Sequence, residues 1–242
     1  MINFLKNRHF LIDLVIKLIT FIPPLIKHNI AKINFFIDCF FILNLEMVEG
    51  DYVEFGVFEG SSMIAAYRAN LSSFKKNNIS MLKDGPQRNY FGFDSFEEGF
   101  KIFDDKDKHP NWRSGSLGSS FNVTSKRLKR NIKKSKYTLI KGFVENTCKN
   151  KTPKNYGINK TSLVFFDMDL GIPTLIALEF IKDSLVEGSI IAFDQFFAYK
   201  GSKEKGESYA FEVFKKNNPN LVFRVYKTWG IRSISFMLTK IK

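Results

Sequence analysis

Cysteine and histidine are both scarce in this chain of 242 residues. The 2 cysteines, Cys39 and Cys148, build no disulfide framework, and their neighbours carry no metal-ligand spacing. A reducing compartment follows, with the cytoplasm as the expected location, peripheral to the inner membrane surface if the N-terminus touches lipid. The 3 histidines, His9, His28 and His109, all lie in the first half, so the second half offers no imidazole base. Also missing is an uninterrupted apolar run of the ~20 residues needed to span a bilayer. Phe10 to Ile22 comes nearest, but Asp13 and Lys17 break it. Pro23-Pro24, not a small-residue cleavage site, comes after it, which argues against a signal peptide. Arginine is rare too, at 8 against 29 lysines. A net charge of +13 raises the question of an anionic partner. Arginine is the side chain suited to reading bases and phosphates, so the lysine skew reads as compositional bias and nucleic acid is not the expected partner. The basic runs Lys126–Arg130 and Lys133-Lys134 read as a solvated helix face, with a nucleotide-sugar or lipid headgroup as the alternative.

What is present is enough apolar sequence, 44%, for a full core. Leu11, Leu14, Val15, Leu18, Ile19 and Ile22 share one helical face opposite Asp13, Lys17 and Thr20. That predicts an amphipathic helix packed on the domain or on a partner subunit of a homodimer, with membrane-surface contact through residues 1–27 as the second reading. A further helix is expected over Ile30–Met47. Residues 1–48 then form a helical appendage (lid or interface) and residues 49–242 the main domain. From Gly50 strands alternate with helices: strands at 51–57, 89–94, 136–141, 162–167, 188–194, 220–226 and 231–239, helices near 60–75, 120–134, 173–185 and 206–217. This is the pattern of an α/β three-layer sandwich around a mostly parallel seven-stranded sheet, closed by an antiparallel hairpin that turns at Lys227–Gly230. Ligands of such sheets bind outside the carboxyl ends of the strands.

Polar residues gather at those ends. Asp51-Tyr-Val-Glu-Phe-Gly-Val-Phe-Glu-Gly-Ser-Ser62 reads as a strand, a glycine turn and a helix start. Its glycines admit a close ligand, its helix N-terminus offers free N–H groups, and Glu54 suits an ammonium or hydroxyl better than a phosphate. Together these suggest an S-adenosylmethionine (SAM) site, against the plainer reading of an ordinary strand–helix turn. Asp94 ends the next strand, where a carboxylate accepts from both ribose hydroxyls. Gly142 and Phe143 end the third, where they can flank an adenine ring. Asp167 and Asp194 end the fourth and fifth, as hard oxygen ligands that can hold Mg²⁺ and so lower the pKa of a substrate hydroxyl. Each acid alone also reads as a helix cap or a solvent contact.

These segments resemble the macrocin O-methyltransferase family (TylF/MycF type) of SAM-dependent sugar O-methyltransferases. The resemblance is carried by Gly50–Gly60, Gly92–Glu97, Lys141–Thr147, Phe166–Leu170 and Glu187–Asp194, in order over about residues 44–217. It implies a class I SAM-methyltransferase (Rossmann-like) fold. The cofactor set it implies, extended along the same turns, is Glu54, Phe55, Gly56, Gly60, Ser61, Ser62, Asp94, Ser95, Phe96, Gly142, Phe143, Asp167 and Met168. It also implies a metal at Asp167, Asp194 and Gln195, with Asp167 and Asp194 catalytic. The chain departs from the family at Gln195, where a second aspartate is usual, and at Asp169-Leu-Gly-Ile-Pro-Thr174, which lacks the family's tyrosine and glutamate. It also lacks the family's late histidine. The acceptor expected is a hydroxyl of a sugar or glycan, free or nucleotide-linked. The competing readings are a methyltransferase for another small molecule or nucleic acid, and a degenerate SAM-fold binding or scaffold protein. Two long loops read as lids: Phe96–Leu117, with His109 and with Trp112 as either a sugar-stacking ring or an anchor, and Phe196–Gly206, whose lysines either meet the diphosphate of a nucleotide-sugar or are merely solvated.

Overall fold

The computed structural model describes residues 2–75, 85–102 and 104–242. Seven strands form one sheet in the order β3-β2-β1-β4-β5-β7-β6. Their ranges are β1 Asp51–Phe55, β2 Tyr90–Asp94, β3 Tyr137–Lys141, β4 Thr161–Phe166, β5 Leu185–Phe193, β6 Leu221–Trp229 and β7 Ser233–Ile241. β1 to β5 are parallel, and β7 is antiparallel to both β5 and β6. The seven-stranded sandwich with its edge hairpin is therefore as expected. The hairpin turn moves to Gly230–Arg232, because the ladder from Leu221 continues through Lys227 to Trp229 before the chain reverses.

The helices are α1 Ile2–Phe21, α2 Pro24–Leu45, α3 Ser61–Lys75, α4 Phe121–Asn131, the single turn α5 Val144–Thr147, α6 Gly171–Ile181, the turn α7 Ala198–Gly201 and α8 Gly206–Asn217. Alternation along the strands divides the core. Val53, Phe55, Phe166 and Phe193 face α6 and α8 and pack with Phe180, Phe211 and Phe214. Tyr52, Tyr90 and Phe165 face α2 and α3 and pack with Phe36, Phe40 and Met63. The inner stripe of α2, Phe35, Phe36, Cys39, Phe40 and Leu43, is fully buried. Phe35 stacks on Trp229 at 3.7 Å between ring centroids, so α2 is an integral layer of the core.

The site lies where the register puts it. Phe55 pairs with Phe93 and Phe166, and Phe166 with Phe193, so four phenylalanines share one rung. Neighbouring rings along it stack at 4.9 to 5.2 Å. The next residues, Gly56, Asp94, Asp167 and Asp194, are therefore level with one another. Gly56, Asp167 and Asp194 continue the ladder, each donating its N–H across at 2.9 Å.

α1 behaves differently. Every side chain from His9 to Lys27 is exposed, so the packing against the domain expected for this helix is not seen. At 100° per residue the apolar side chains from Phe10 to Ile22 sweep about 240° of its circumference, more than one neighbouring surface covers. α1 meets α2 at about 90° across Pro23-Pro24, and no single helix among the described residues is long and apolar enough to cross a membrane. The basic side chains Lys126, Lys129, Arg130, Lys133 and Lys134 are exposed, as a solvated face requires.

Truncating Phe36, buried between α2 and the sheet, should cost about 3–5 kcal/mol in urea unfolding. Deleting residues 2–21 should leave the unfolding midpoint of the body unchanged, since α1 contributes no buried side chain among those described.

Candidate functional site

A cavity of about 520 Å³ opens over the carboxyl ends of β1 to β5. Of the residues expected around a cofactor, Gly56, Ser61, Ser62, Asp94, Ser95, Gly142, Phe143, Asp167 and Met168 line it. The side chains of the others lie beside it. Phe55 belongs to the stacked rung, Phe96 packs edge-on to Phe121, and Gly60 sits against Leu128. Glu54 is fully buried one layer down, where its carboxyl accepts from Tyr52 OH at 2.7 Å and from Ser62 Oγ. Burial pushes Glu54 up to about 8, against the hydrogen bonds from Ser62 and Tyr52, so it is a neutral acid at pH 7.

Local backbone builds the walls. Gly56 is obligatory, since a Cβ there would lie 2.0 Å from the Asp167 carbonyl oxygen. Asp94 accepts from the N–H groups of Phe58 and Phe96, both non-glycine residues with φ near +50° (49° and 56°). Such left-handed positions cost energy and persist only where surrounding contacts impose them. They hold the Asp94 carboxylate in place on the cavity wall. From the 97–118 loop, Gly99, Phe100, Lys101 and Leu117 reach the cavity. Lys101 Nζ lies 5.1 Å from the Phe143 ring centroid. His109 and Trp112 do not line it. They stack on each other at 4.1 Å and meet Tyr199 edge-on, so Trp112 is an anchor between the two loops. Asp107 ties the first loop down by accepting from the N–H groups of Gly171 and Ile172 at the start of α6. Lys200, Lys203 and Lys205 of the second loop stay outside the cavity.

The deepest part of the site holds an arrangement absent from the sequence expectation. Lys32 of α2 reaches between the two strand-end aspartates, with Nζ 3.1 Å from Asp167 Oδ2 and 3.2 Å from Asp194 Oδ1. One turn earlier, His28 Nε2 lies 3.2 Å from Asp194 Oδ2. His28 Nδ1 accepts from the Ile231 N–H at 3.2 Å, which places the proton on Nε2 and makes it the donor to Asp194. Gly230 permits this approach, because a Cβ there would lie 2.2 Å from His28 Nδ1. Burial disfavours the Lys32 ammonium, but the charges of Asp167 and Asp194 more than offset it and the net shift is upward. Burial and the Asp194 charge push Asp167 up to about 6, although Lys32 opposes them. Burial also works against ionised Asp194, yet the His28 hydrogen bond and the Lys32 charge outweigh it and hold that carboxyl below its usual range.

The metal expected at Asp167, Asp194 and Gln195 does not fit this donor set. An ammonium fills the space between the carboxylates, and Gln195 brings no charge. Mg²⁺ would need oxygens at ~2.0–2.1 Å in octahedral array, directly against that cation. Among the described residues no three His, Cys, Asp or Glu side chains converge as a metal group. Asp194 lies behind Lys32 and off the cavity wall, whereas Lys32, Asp167 and Gln195 are on it. Two buried oxygens close by, Gln195 Oε1 and Asp169 Oδ1, have no hydrogen-bond partner. Glu207 at the start of α8 braces this rim, accepting from the N–H groups of Met168 and Gln195.

His28, Lys32 and Glu207 were not anticipated. The first two had a signal: positions 28, 32, 35, 36, 39 and 43 form one helical stripe, otherwise apolar, so a histidine and a lysine on it must find buried partners.

No family model matches the chain, and no curated protein does. Solved structures do. The O-methyltransferase NovP superposes with a TM-score of 0.66 at 15% identity, covering 86% of this chain and 79% of NovP. CalS11, described as a calicheamicin methyltransferase, gives 0.60 at 22% identity over 83% of this chain and 76% of its own. The O-methyltransferase from Bacillus cereus in complex with SAH gives 0.52 at 10% identity over 84% and 80%. The fold is that of the class I methyltransferases. The strand order, the edge hairpin and the cavity over the strand ends all belong to this fold.

Glu54 gives the site a pH signature. The folded chain keeps its proton up to about pH 8, while the ordinary carboxyl releases it near 4.5. Its stabilising contribution is therefore complete below pH 4.5 and lost as pH rises through 8. Glu54→Gln should remove this dependence, so its stability relative to wild type should rise between pH 5 and 8 by on the order of a few kcal/mol in urea unfolding. A flat difference would show that Glu54 ionises freely.

Proposed function

We propose that the protein is a SAM-dependent O-methyltransferase acting on a hydroxyl of a sugar or glycan, in free or nucleotide-linked form. The observation that carries this reading is the cavity itself, with cofactor-type walls at one end and the Lys32–Asp167 pair at the other. Asp94, held by two backbone N–H groups, is the acceptor for ribose hydroxyls. Gly142 and Phe143 form an apolar ledge for a flat ring. Ser61 and Ser62 open α3, where N–H groups face the cavity end of β1. When bound, SAM supplies an electrophilic methyl group on sulfur. Lys32 and Asp167, side by side on the cavity wall, are the polar pair that can bond an acceptor hydroxyl. Holding the acceptor oxygen in line with the methyl carbon supplies most of the rate. CalS11 is described as a TDP-rhamnose 3'-O-methyltransferase, which supports a sugar hydroxyl over other acceptors.

Calorimetric titration of SAM into the full chain should show micromolar binding, reduced at least tenfold by Asp94→Ala, a loss of ~1.4 kcal/mol or more. Absence of SAM binding to wild type would leave a fold without this activity, as a scaffold or binding protein.

We also infer that α1 lies in the surface of a membrane, so that the protein is peripheral to it on the cytoplasmic side. An apolar arc of about 240° suits immersion in lipid better than one helix seam, and the net charge of +13 favours anionic headgroups. The full chain should float with anionic vesicles, less with neutral ones, and Leu14→Asp with Leu18→Asp should abolish flotation. A dimer that ignores vesicles and dissociates on the same substitutions would show that a second copy covers α1 instead.

A further inference from the structure

Among the described residues Lys32 is the one cation seated between the two strand-end carboxylates, and its side chain is only 12% exposed. Burying an ammonium is expensive, and the chain compensates from several directions at once. Asp167 and Asp194 both contact it, and the Phe165 ring centroid lies 5.2 Å from Nζ. His28 holds the far oxygen of Asp194, fixing the carboxylate that fixes the lysine. An ammonium has three N–H donors, and the two aspartates account for two of them. Because Lys32 also lines the cavity, the third is available to a ligand there. Beside it Gln195 offers a neutral oxygen, where a further carboxylate would leave the cluster with excess negative charge.

We propose that the Lys32 ammonium takes the place of a divalent metal ion, so that this protein activates its acceptor hydroxyl without metal. The proposal rests on the methyltransferase reading above. Lys32 donates to the acceptor oxygen and stabilises the negative charge that develops on it. Asp167, exposed to the cavity over 25% of its side chain, takes the hydroxyl proton. The oxygen forms its bond to the methyl carbon as the carbon–sulfur bond breaks. The electron pair stays on sulfur, giving S-adenosylhomocysteine and a methyl ether, and Asp167 returns its proton to solvent. His28 is a positioning residue, acting through Asp194.

The test is Mn²⁺ binding followed by electron paramagnetic resonance on the full chain, with SAM binding measured separately by calorimetry. Wild type should take up no stoichiometric Mn²⁺ at millimolar concentration. Lys32→Ala combined with Gln195→Asp, which removes the cation and adds a carboxylate, should take up one ion per chain. Stoichiometric Mn²⁺ on wild type would overturn the proposal whether or not SAM binds, so this failure is separate from that of the methyltransferase reading. With a nucleotide-sugar acceptor, methyl transfer should be unaffected by EDTA. Lys32→Met should lower it by on the order of 100-fold while SAM affinity stays within a few-fold. Loss of transfer in EDTA that Mg²⁺ restores would equally overturn it. Should Lys32→Met fail to fold, the wild-type Mn²⁺ and EDTA measurements decide alone.

Discussion

The constraint on which the rest of this molecule depends is the parallel register of β2, β1, β4 and β5 at one rung. Phe93, Phe55, Phe166 and Phe193 meet there with stacked rings. Because side chains alternate across a strand, a one-residue slip of any of these strands would turn its phenylalanine onto the α2–α3 face and break the stacked row. The burial that locks the rung also sets Asp94, Gly56, Asp167 and Asp194 side by side one residue beyond it. The hydrophobic core and the polar site are thus consecutive positions on the same strands.

Two acids placed together by that register repel each other, and each is partly cut off from water. The chain resolves this with a side chain from a helix that packs across the sheet face. α2 buries its phenylalanines against Tyr52, Phe165 and Trp229, and the same stripe carries Lys32 and His28 to the rim. Helix packing and charge compensation are therefore coupled: a shift of α2 along the sheet would withdraw the ammonium and leave the aspartates unbalanced. Strained backbone is found around the same cavity, at Phe58, Phe96 and Asp169, where φ is positive without glycine.

Much of this was legible in the sequence, for identifiable reasons. Strand–helix alternation, the Gly56 turn and the acids after Phe93, Phe166 and Phe193 are local features with a fixed period. They give the sheet, its polar end and most of the cavity wall. The metal expectation failed on a long-range contact, since Lys32 and Asp194 are brought together only by packing of α2. Trp112 carried two readings of equal chemistry, and its neighbours His109 and Tyr199 made it an anchor. α1 illustrates the converse. Its sequence allowed a one-faced helix, but every described side chain from His9 to Phe21 is exposed.

By itself, then, the sequence determined the layered α/β architecture and the end of the sheet at which the cavity opens, because periodicity and strand-end composition are encoded within a few residues. Only the tertiary structure decided what neutralises Asp167 and Asp194, because a Coulomb interaction depends on separation in space and the partner is more than 130 residues away in the chain.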